Sequence, residues 1–139
     1  MKVRIIIPTY NEAENIITLI TELLSLMPAD TRILVVDDNS PDGTADLVRN
    51  YMSREGRVSI LARPGKLGLG SAYRAAFRKV LDEGSADAIV TIDADFSHSP
   101  KYVPQLVGEC GNNDLVVGSR YITGGGIRDW ELWRRLLSW

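Results

Sequence analysis

The sequence predicts an α/β fold built on a mainly parallel, doubly wound sheet. Three observations carry this expectation. Short apolar runs rich in Val and Ile recur without strict alternation, as strands covered on both faces require. Longer segments of helical apolar periodicity separate them, the order that gives right-handed parallel crossovers. A polar cluster also follows each run directly. In this Rossmann-like topology those clusters all leave the same edge of the sheet, where open α/β sheets bind ligands.

The first strand is expected over Val3–Ile7, followed by Pro8-Thr9-Tyr10-Asn11-Glu12. Asn11 and Glu14 have the spacing of a capping pair that opens a helix whose Ile16, Ile20, Leu23, Leu24 and Met27 share a face. The second strand, Ile33–Val36, runs into Asp37-Asp38-Asn39-Ser40-Pro41-Asp42-Gly43, and a helix follows over Thr44–Ser53. The third, Val58–Leu61, leads to the glycine-rich stretch Arg63 to Gly70 and a helix over Ser71–Glu83 closed by Gly84. The fourth, Ala88–Ile92, ends in Asp93-Ala94-Asp95-Phe96-Ser97-His98. Ser99-Pro100 then supplies an N-cap and first turn for a helix ending before Gly111. Leu115–Val117 is the expected fifth strand, followed by Gly118-Ser119-Arg120-Tyr121 and three glycines at 124–126.

Composition bounds what these clusters can do. A chain of 139 residues makes one domain, 1–139, with a single core. Sixteen Lys and Arg against eighteen Asp and Glu leave a net charge of −2, which argues against a nucleic-acid partner. Cys110 is the one cysteine, so neither an internal disulfide nor a cysteine metal cage can form, and a small buried role is expected for it. No apolar stretch approaches the roughly 18 residues of a membrane-spanning helix. The apolar start of the chain is broken by Pro8 before it reaches signal-peptide length. A soluble, cytoplasmic chain is the expectation.

Each cluster has a chemical reading beside a plainer one. Tyr10 can offer a ring to a base or sugar and Glu12 lies near a helix start, whereas Asn11 and Glu14 can simply cap. Turn geometry needs at most one of Asp37 and Asp38; the other is free to accept hydrogen bonds from a base or ribose. The loop from Arg63 to Gly70 matches neither a Walker loop nor the dinucleotide fingerprint. It can nonetheless bring backbone N–H groups near a ligand while Arg63 and Lys66 add positive charge. Asp93 and Asp95 stand two residues apart, which in an extended chain aims both the same way. Paired anions repel unless a cation lies between them, so a hard divalent ion, Mg²⁺ or Mn²⁺, would join them to a diphosphate. The alternative is strand-end punctuation. His98 is either a metal or phosphate contact or a polar first-turn residue. Arg120 can bind phosphate bidentately. From Arg120 onward four Arg face two acids, and all three Trp lie there among Leu and Arg. That composition suits a helix in a membrane interface or one packed on further protein.

PTYNE, VDDNSPDGT, KLGLGSAY, DADFSHSP, GSRY and WRRLLS occur in this order. With them the chain resembles the polyprenol-phosphate (dolichol-phosphate) mannose synthases, inverting family 2 glycosyltransferases of the GT-A fold. The resemblance implies mannose transfer from GDP-mannose to a polyprenyl or dolichyl monophosphate, with Mg²⁺ or Mn²⁺. By residue, it implies nucleotide-sugar binding by Pro8, Tyr10, Glu12, Asp38, Lys66, Asp93, Asp95 and Arg120. Asp93 and Asp95 would be the metal ligands. Arg120, Arg134 and Arg135 would hold the leaving diphosphate and the acceptor phosphate, and Asp95, Arg120 and Arg134 would be catalytic. Ser97 stands where some relatives carry a longer Gln. The domain then divides into a nucleotide-sugar-binding core, 1–118, and a mobile loop with the start of an interfacial, acceptor-side helix, 119–139.

Relatives continue past the position of Trp139, so a C-terminally incomplete GT-A domain is expected. A membrane-anchoring partner subunit or a missing segment would complete it at the cytoplasmic face of a membrane. Three other readings stay open: a family 2 transferase with a UDP-glucose-type donor or a hydroxyl acceptor, a nucleotidyltransferase, and a nucleotide-binding domain without turnover.

Overall fold

The computed structural model describes residues 1–84 and 86–119. Its strands are β1 (Val3–Thr9), β2 (Arg32–Asp37), β3 (Val58–Ala62) and β4 (Ala88–Thr91). Between them run α1 (Ile16–Leu26), α2 (Thr44–Met52) and α3 (Leu69–Asp82). A 3₁₀ turn over Pro100–Tyr102 leads into α4 (Val103–Glu109). All strand pairs are parallel, in the order β3-β2-β1-β4. The order reverses between β1 and β4, and ligands of such sheets bind at that switch point, beyond the strand C-termini.

The unbroken apolar runs are explained by burial on both faces. Ile5, Ile7, Ile33 and Val35 face α1 and α2 and pack with Leu19, Leu23 and Val48. Ile6, Leu34 and Val36 face the other way, onto Ala72, Ala76 and Val80 of α3. The small residues of α3 let it lie close on its face of the sheet. Pro8 is tolerated in an inner strand because β4 pairs with β1 only from Val3 to Ile6; Pro8 pairs on the β2 side with Val36.

Three expectations need correction. Leu115–Val117 is not a strand: Leu115 and Val117 are 80% and 73% exposed and have no ladder partner among the described residues. An apolar run of three reports a preference for burial, not a pairing partner. Asn11 and Glu14 do not cap α1. Asn11 is in left-handed backbone (φ 60°), residues 13–15 form a turn, and the N-cap position falls on Asn15. Cys110 is half-buried just past α4, with its thiol directed to the Leu106 carbonyl at 3.4 Å. Arg120, the glycines at 124–126, Arg134, Arg135 and the interfacial helix lie outside the described residues.

Candidate functional site

The loops after β1, β2, β3 and β4 meet at the C-terminal edge of the sheet, and their own side chains lock them together. Asp37, at the end of β2, is fully buried. Its carboxylate accepts hydrogen bonds from Thr9 Oγ1 at 2.9 Å, Ser40 N at 3.0 Å and Ser40 Oγ at 2.6 Å. Ser40 Oγ in turn accepts from Asn11 N at 3.0 Å. Two residues on, Asp42 receives Ala13 N at 2.9 Å and Thr44 N at 3.0 Å, while Thr44 Oγ1 accepts from Glu12 N at 3.0 Å. Gly43 turns the chain into α2 at φ 86°, a conformation that side chains rarely adopt. The Ser-Pro-Asp-Gly-Thr stretch is thus a staple between the β1 and β2 loops as well as a turn. Asp37 meets the turn requirement, which leaves Asp38 for another task.

Asp38 is buried and faces the loop after β3. Its Oδ2 accepts Leu67 N at 3.2 Å, and Arg63 Nε stands 3.2 Å from Oδ1. Arg63 is equally buried and donates from Nη2 to Ser71 Oγ at 2.8 Å. The pair is close enough for an ion pair but lacks hydrogen-bond alignment. Asp38 Oδ1 and Arg63 Nη1 are therefore a buried acceptor and a buried donor without a hydrogen-bond partner among the described residues. Buried polar atoms are rarely left so. Beside them, Lys66 Nζ lies 4.1 Å above the ring centroid of Tyr10, a cation–π contact that joins the first and third loops. The Glu12 carboxylate accepts from Asn15 Nδ2 at 3.0 Å and so also serves the helix start.

The two aspartates after β4 sit in a turn, because the strand ends at Thr91. The extended-chain argument for their common direction does not hold there, yet the alternation persists in burial. Ile92 and Ala94 are buried in the core, Asp93 is half-buried and Asp95 is exposed. Tyr73 Oη of α3 donates to Asp93 Oδ1 at 3.2 Å. Burial, then the charge and hydrogen bond of Asp93, push the Tyr73 hydroxyl up to about 12. Asp95 Oδ1 accepts Ser97 N at 2.9 Å, and hydrogen bonds from Ser97 hold the Asp95 carboxyl below its ordinary value. Ser97 therefore supports Asp95, and its Oγ also lies 3.2 Å from His98 Nδ1. Between them Phe96 occupies left-handed backbone at φ 59°. For a bulky residue this costs ~1–2 kcal/mol, offset by packing of its ring against the core.

Oδ2 of Asp93 and Oδ2 of Asp95 accept no hydrogen bond from a described residue. No group of three or more His, Cys, Asp or Glu gathers to hold a metal among the described residues. Two carboxylates without further protein ligands suit Mg²⁺-type binding, in which substrate phosphates and water complete the shell.

Sequence reasoning passed over Tyr73, Ser71, Thr9 and the clamping role of Arg63. Only a Thr, a Ser, a Tyr and an Arg on separate elements marked them, and nothing in their spacing pairs them with their aspartates. Of the other expected site residues, Pro8 is half-buried in β1, and Arg120, Arg134 and Arg135 are not among the described residues.

Comparison with known proteins agrees with this geometry. The chain is 42% identical to the undecaprenyl-phosphate mannosyltransferase of Micrococcus luteus over all of its own length and 56% of that protein. It is 39% identical to the dolichol-phosphate mannosyltransferase of Pyrococcus furiosus over 99% of its length and 38% of that protein. The chain thus spans about half or less of each of these relatives. Among solved structures, the mannosyltransferase PcManGT of Pyrobaculum calidifontis, in complex with GDP-Man and Mn²⁺, superposes with a TM-score of 0.60 at 26% identity. The match covers 68% of this chain and 27% of that one. Residues 4–138 match the sequence family Glycosyl transferase family 2, and the chain belongs to that family.

Proposed function

We propose that this domain binds GDP-mannose and serves the inverting transfer of mannose to a polyprenyl or dolichyl monophosphate. The observation that carries the reading is the pair Asp93 and Asp95 at the β1/β4 switch point, each with an oxygen to spare, beside the buried Asp38–Arg63 pair. The relatives that align over the whole chain are mannosyltransferases named for undecaprenyl and dolichol phosphate, which supports the donor sugar and the acceptor class.

In this reading the buried Asp38–Arg63 pair backs the nucleoside pocket by fixing the loop after β3, and Tyr10 with Lys66 borders it. Residues 1–118 form the nucleotide-sugar core. Asp93 and Asp95 would hold Mg²⁺ or Mn²⁺, whose chemistry is to neutralise charge on the departing diphosphate. Tyr73 and Ser97 fix the two carboxylates and keep Asp95 ionised. Arg120, Arg134 and Arg135 are assigned to the diphosphate and the acceptor phosphate.

An acceptor monophosphate, with a second pKa of about 6, is already mostly dianionic at pH 7. It can attack the anomeric carbon without losing a proton, so positioning and charge stabilisation suffice and no general base is needed. A lipid acceptor would bring the domain to the cytoplasmic surface of a membrane, with any anchor supplied by a partner or by further chain. No helix among the described residues is long and apolar enough to cross one.

Calorimetric titration of GDP-mannose, with and without Mn²⁺, tests this on the chain and on Asp95→Ala. Metal-dependent binding that the variant loses is expected. Equal binding with and without Mn²⁺, or displacement by UDP-sugars but not by GDP, overturns it.

A further inference from the structure

On the face of the sheet opposite α1 and α2, α3 packs on β1 and β2 through Ala72, Ala76 and Val80, and no other described helix joins that cluster. Leu69, Tyr73, Phe77 and Leu81 recur along α3 at a spacing of four residues, so they form one ridge about 18 Å long. Much of the ridge is open. Leu69, Phe77 and Leu81 are 56%, 37% and 67% exposed, and Phe77 stacks on Tyr73 with ring centroids 6.3 Å apart. Leu67, in the loop that leads into α3, is 60% exposed. Single exposed apolar side chains need no explanation, but several along one element mark an interaction surface.

Charge is segregated in the same sense. Residues 63–81 hold five Lys or Arg and no acid, whereas residues 10–56, which include α1 and α2, hold three Arg against nine Asp or Glu. Three of the five cations are engaged: Arg63 with Asp38, Lys79 with Glu83, and Lys66 on the Tyr10 ring. Arg74 and Arg78 are exposed, and neither makes an ion pair with a described residue. Arg74 follows Tyr73 and Arg78 follows Phe77, which sets both guanidinium-bearing positions along the same flank of the ridge.

We propose that the outer face of α3, with Leu67, docks on an anionic lipid surface. Apolar side chains flanked by arginines are what an interfacial helix presents: the apolar groups enter the acyl boundary and the guanidiniums meet anionic headgroups. The acidic α1–α2 side lies across the sheet and would face water. A nucleic acid would match the arginines but leave Leu69 and Leu81 uncovered. The proposal deepens the lipid-acceptor reading and rests on it for its purpose. The N-terminus of α3 lies at the edge of the sheet that carries Asp93 and Asp95, and Tyr73 of the ridge donates to Asp93. A bilayer along α3 therefore adjoins the edge at which a lipid phosphate would be used.

The test is sedimentation of the chain with phosphatidylcholine vesicles, with or without phosphatidylglycerol, at low salt. Pelleting that needs phosphatidylglycerol is expected. The double variant Arg74→Gln/Arg78→Gln should weaken it about 25-fold, roughly fivefold per arginine. Arg32→Gln/Arg54→Gln removes the same charge from exposed positions off α3 and should weaken it far less. To place the contact, an environment-sensitive fluorophore is attached through Leu81→Cys or, on the exposed side of α1, through Ser25→Cys, each with Cys110→Ala. The label at position 81 should shift to the blue with phosphatidylglycerol vesicles and the label at position 25 should not. GDP-mannose binding should be unchanged in Arg74→Gln/Arg78→Gln. Vesicle binding is measured without nucleotide or metal, so its failure and the failure of the transfer reading show separately. No phosphatidylglycerol-dependent pelleting, equal loss in the two double variants, or a blue shift at position 25 but not at 81 overturns the proposal.

Discussion

Replacing Arg63 by methionine removes a guanidinium from a nearly dry position and keeps an unbranched side chain. Arg63 Nε and Asp38 Oδ1 are 3.2 Å apart, and their side chains are 6% and 8% exposed. At an effective dielectric of about 20, unit charges at that distance attract by ~5 kcal/mol. Desolvation of both ions offsets most of this, so an apolar pair in their place would be nearly as stable. Removing one partner is different. The Asp38 carboxylate stays buried with only the Leu67 N–H to satisfy it, and Ser71 Oγ loses its donor. Arg63→Met should therefore cost ~3–5 kcal/mol, a large share of the 5–15 kcal/mol that holds a typical domain. Asp38→Leu should cost a similar amount, and the double variant, an apolar pair, less than either single and far less than their sum. Urea unfolding followed by far-ultraviolet circular dichroism measures all three. A loss below ~1 kcal/mol for Arg63→Met, or strictly additive singles, would refute the clamp: the pair would then be screened by solvent and the β3 loop not held by it.

Three further outcomes are expected. The depressed folded pKa of Asp95 gives stability that is present above the unfolded value of about 3.9 and is lost as pH falls through the folded value. The urea-midpoint difference between the chain and Asp95→Asn should thus be constant above about pH 5 and shrink in acid; growth on acidification would contradict the assignment. Tyr73→Phe removes the donor to Asp93 and should weaken Mn²⁺ binding, read by electron paramagnetic resonance, by ~10–100-fold. The same variant should lack the phenol that ionises near pH 12 in an ultraviolet titration. Thr9→Val, near-isosteric and buried, takes one hydrogen bond from the buried Asp37 carboxylate and should cost ~1–3 kcal/mol in urea, whereas an unchanged midpoint would mean that water replaces the hydroxyl.

Periodicity made the strands and helices legible because each apolar run is buried on both faces, as Ile5, Ile6 and Ile7 show. Element ends were less legible. Asn11 and Glu14 carry the capping spacing, yet Asn11 turns left-handed because Ser40 and Asp42 draw the loop toward β2. That pull comes from residues some thirty positions away, and no local pattern records it. Leu115–Val117 failed for a related reason: strand formation needs a partner, which a window of three residues cannot reveal. In the site, the aspartates were legible as residue types that turn chemistry alone did not require. Their supports were not, since Tyr73 on α3 reaches Asp93 only once the sheet has assembled.

The supports also bear on what kind of site this is. A site made only of loop tips would let its carboxylates drift apart, because Asp93 and Asp95 repel each other. Here each carboxylate is tied to a different anchor. Asp93 is tied to the phenol of a helix packed on the sheet, and Asp95 to the backbone of its own turn, where Phe96 holds a strained φ by burying its ring. Asp38 is tied to an arginine that also grips α3 through Ser71. Two of the three anchors therefore converge on α3, near its N-terminal half. A perturbation of α3 packing, such as enlarging Ala72, should accordingly disturb the Asp38 and Asp93 positions together while sparing the β1–β2 staple. That coupling follows from the topology, because α3 is the crossover that carries the chain from β3 across β2 and β1 to β4.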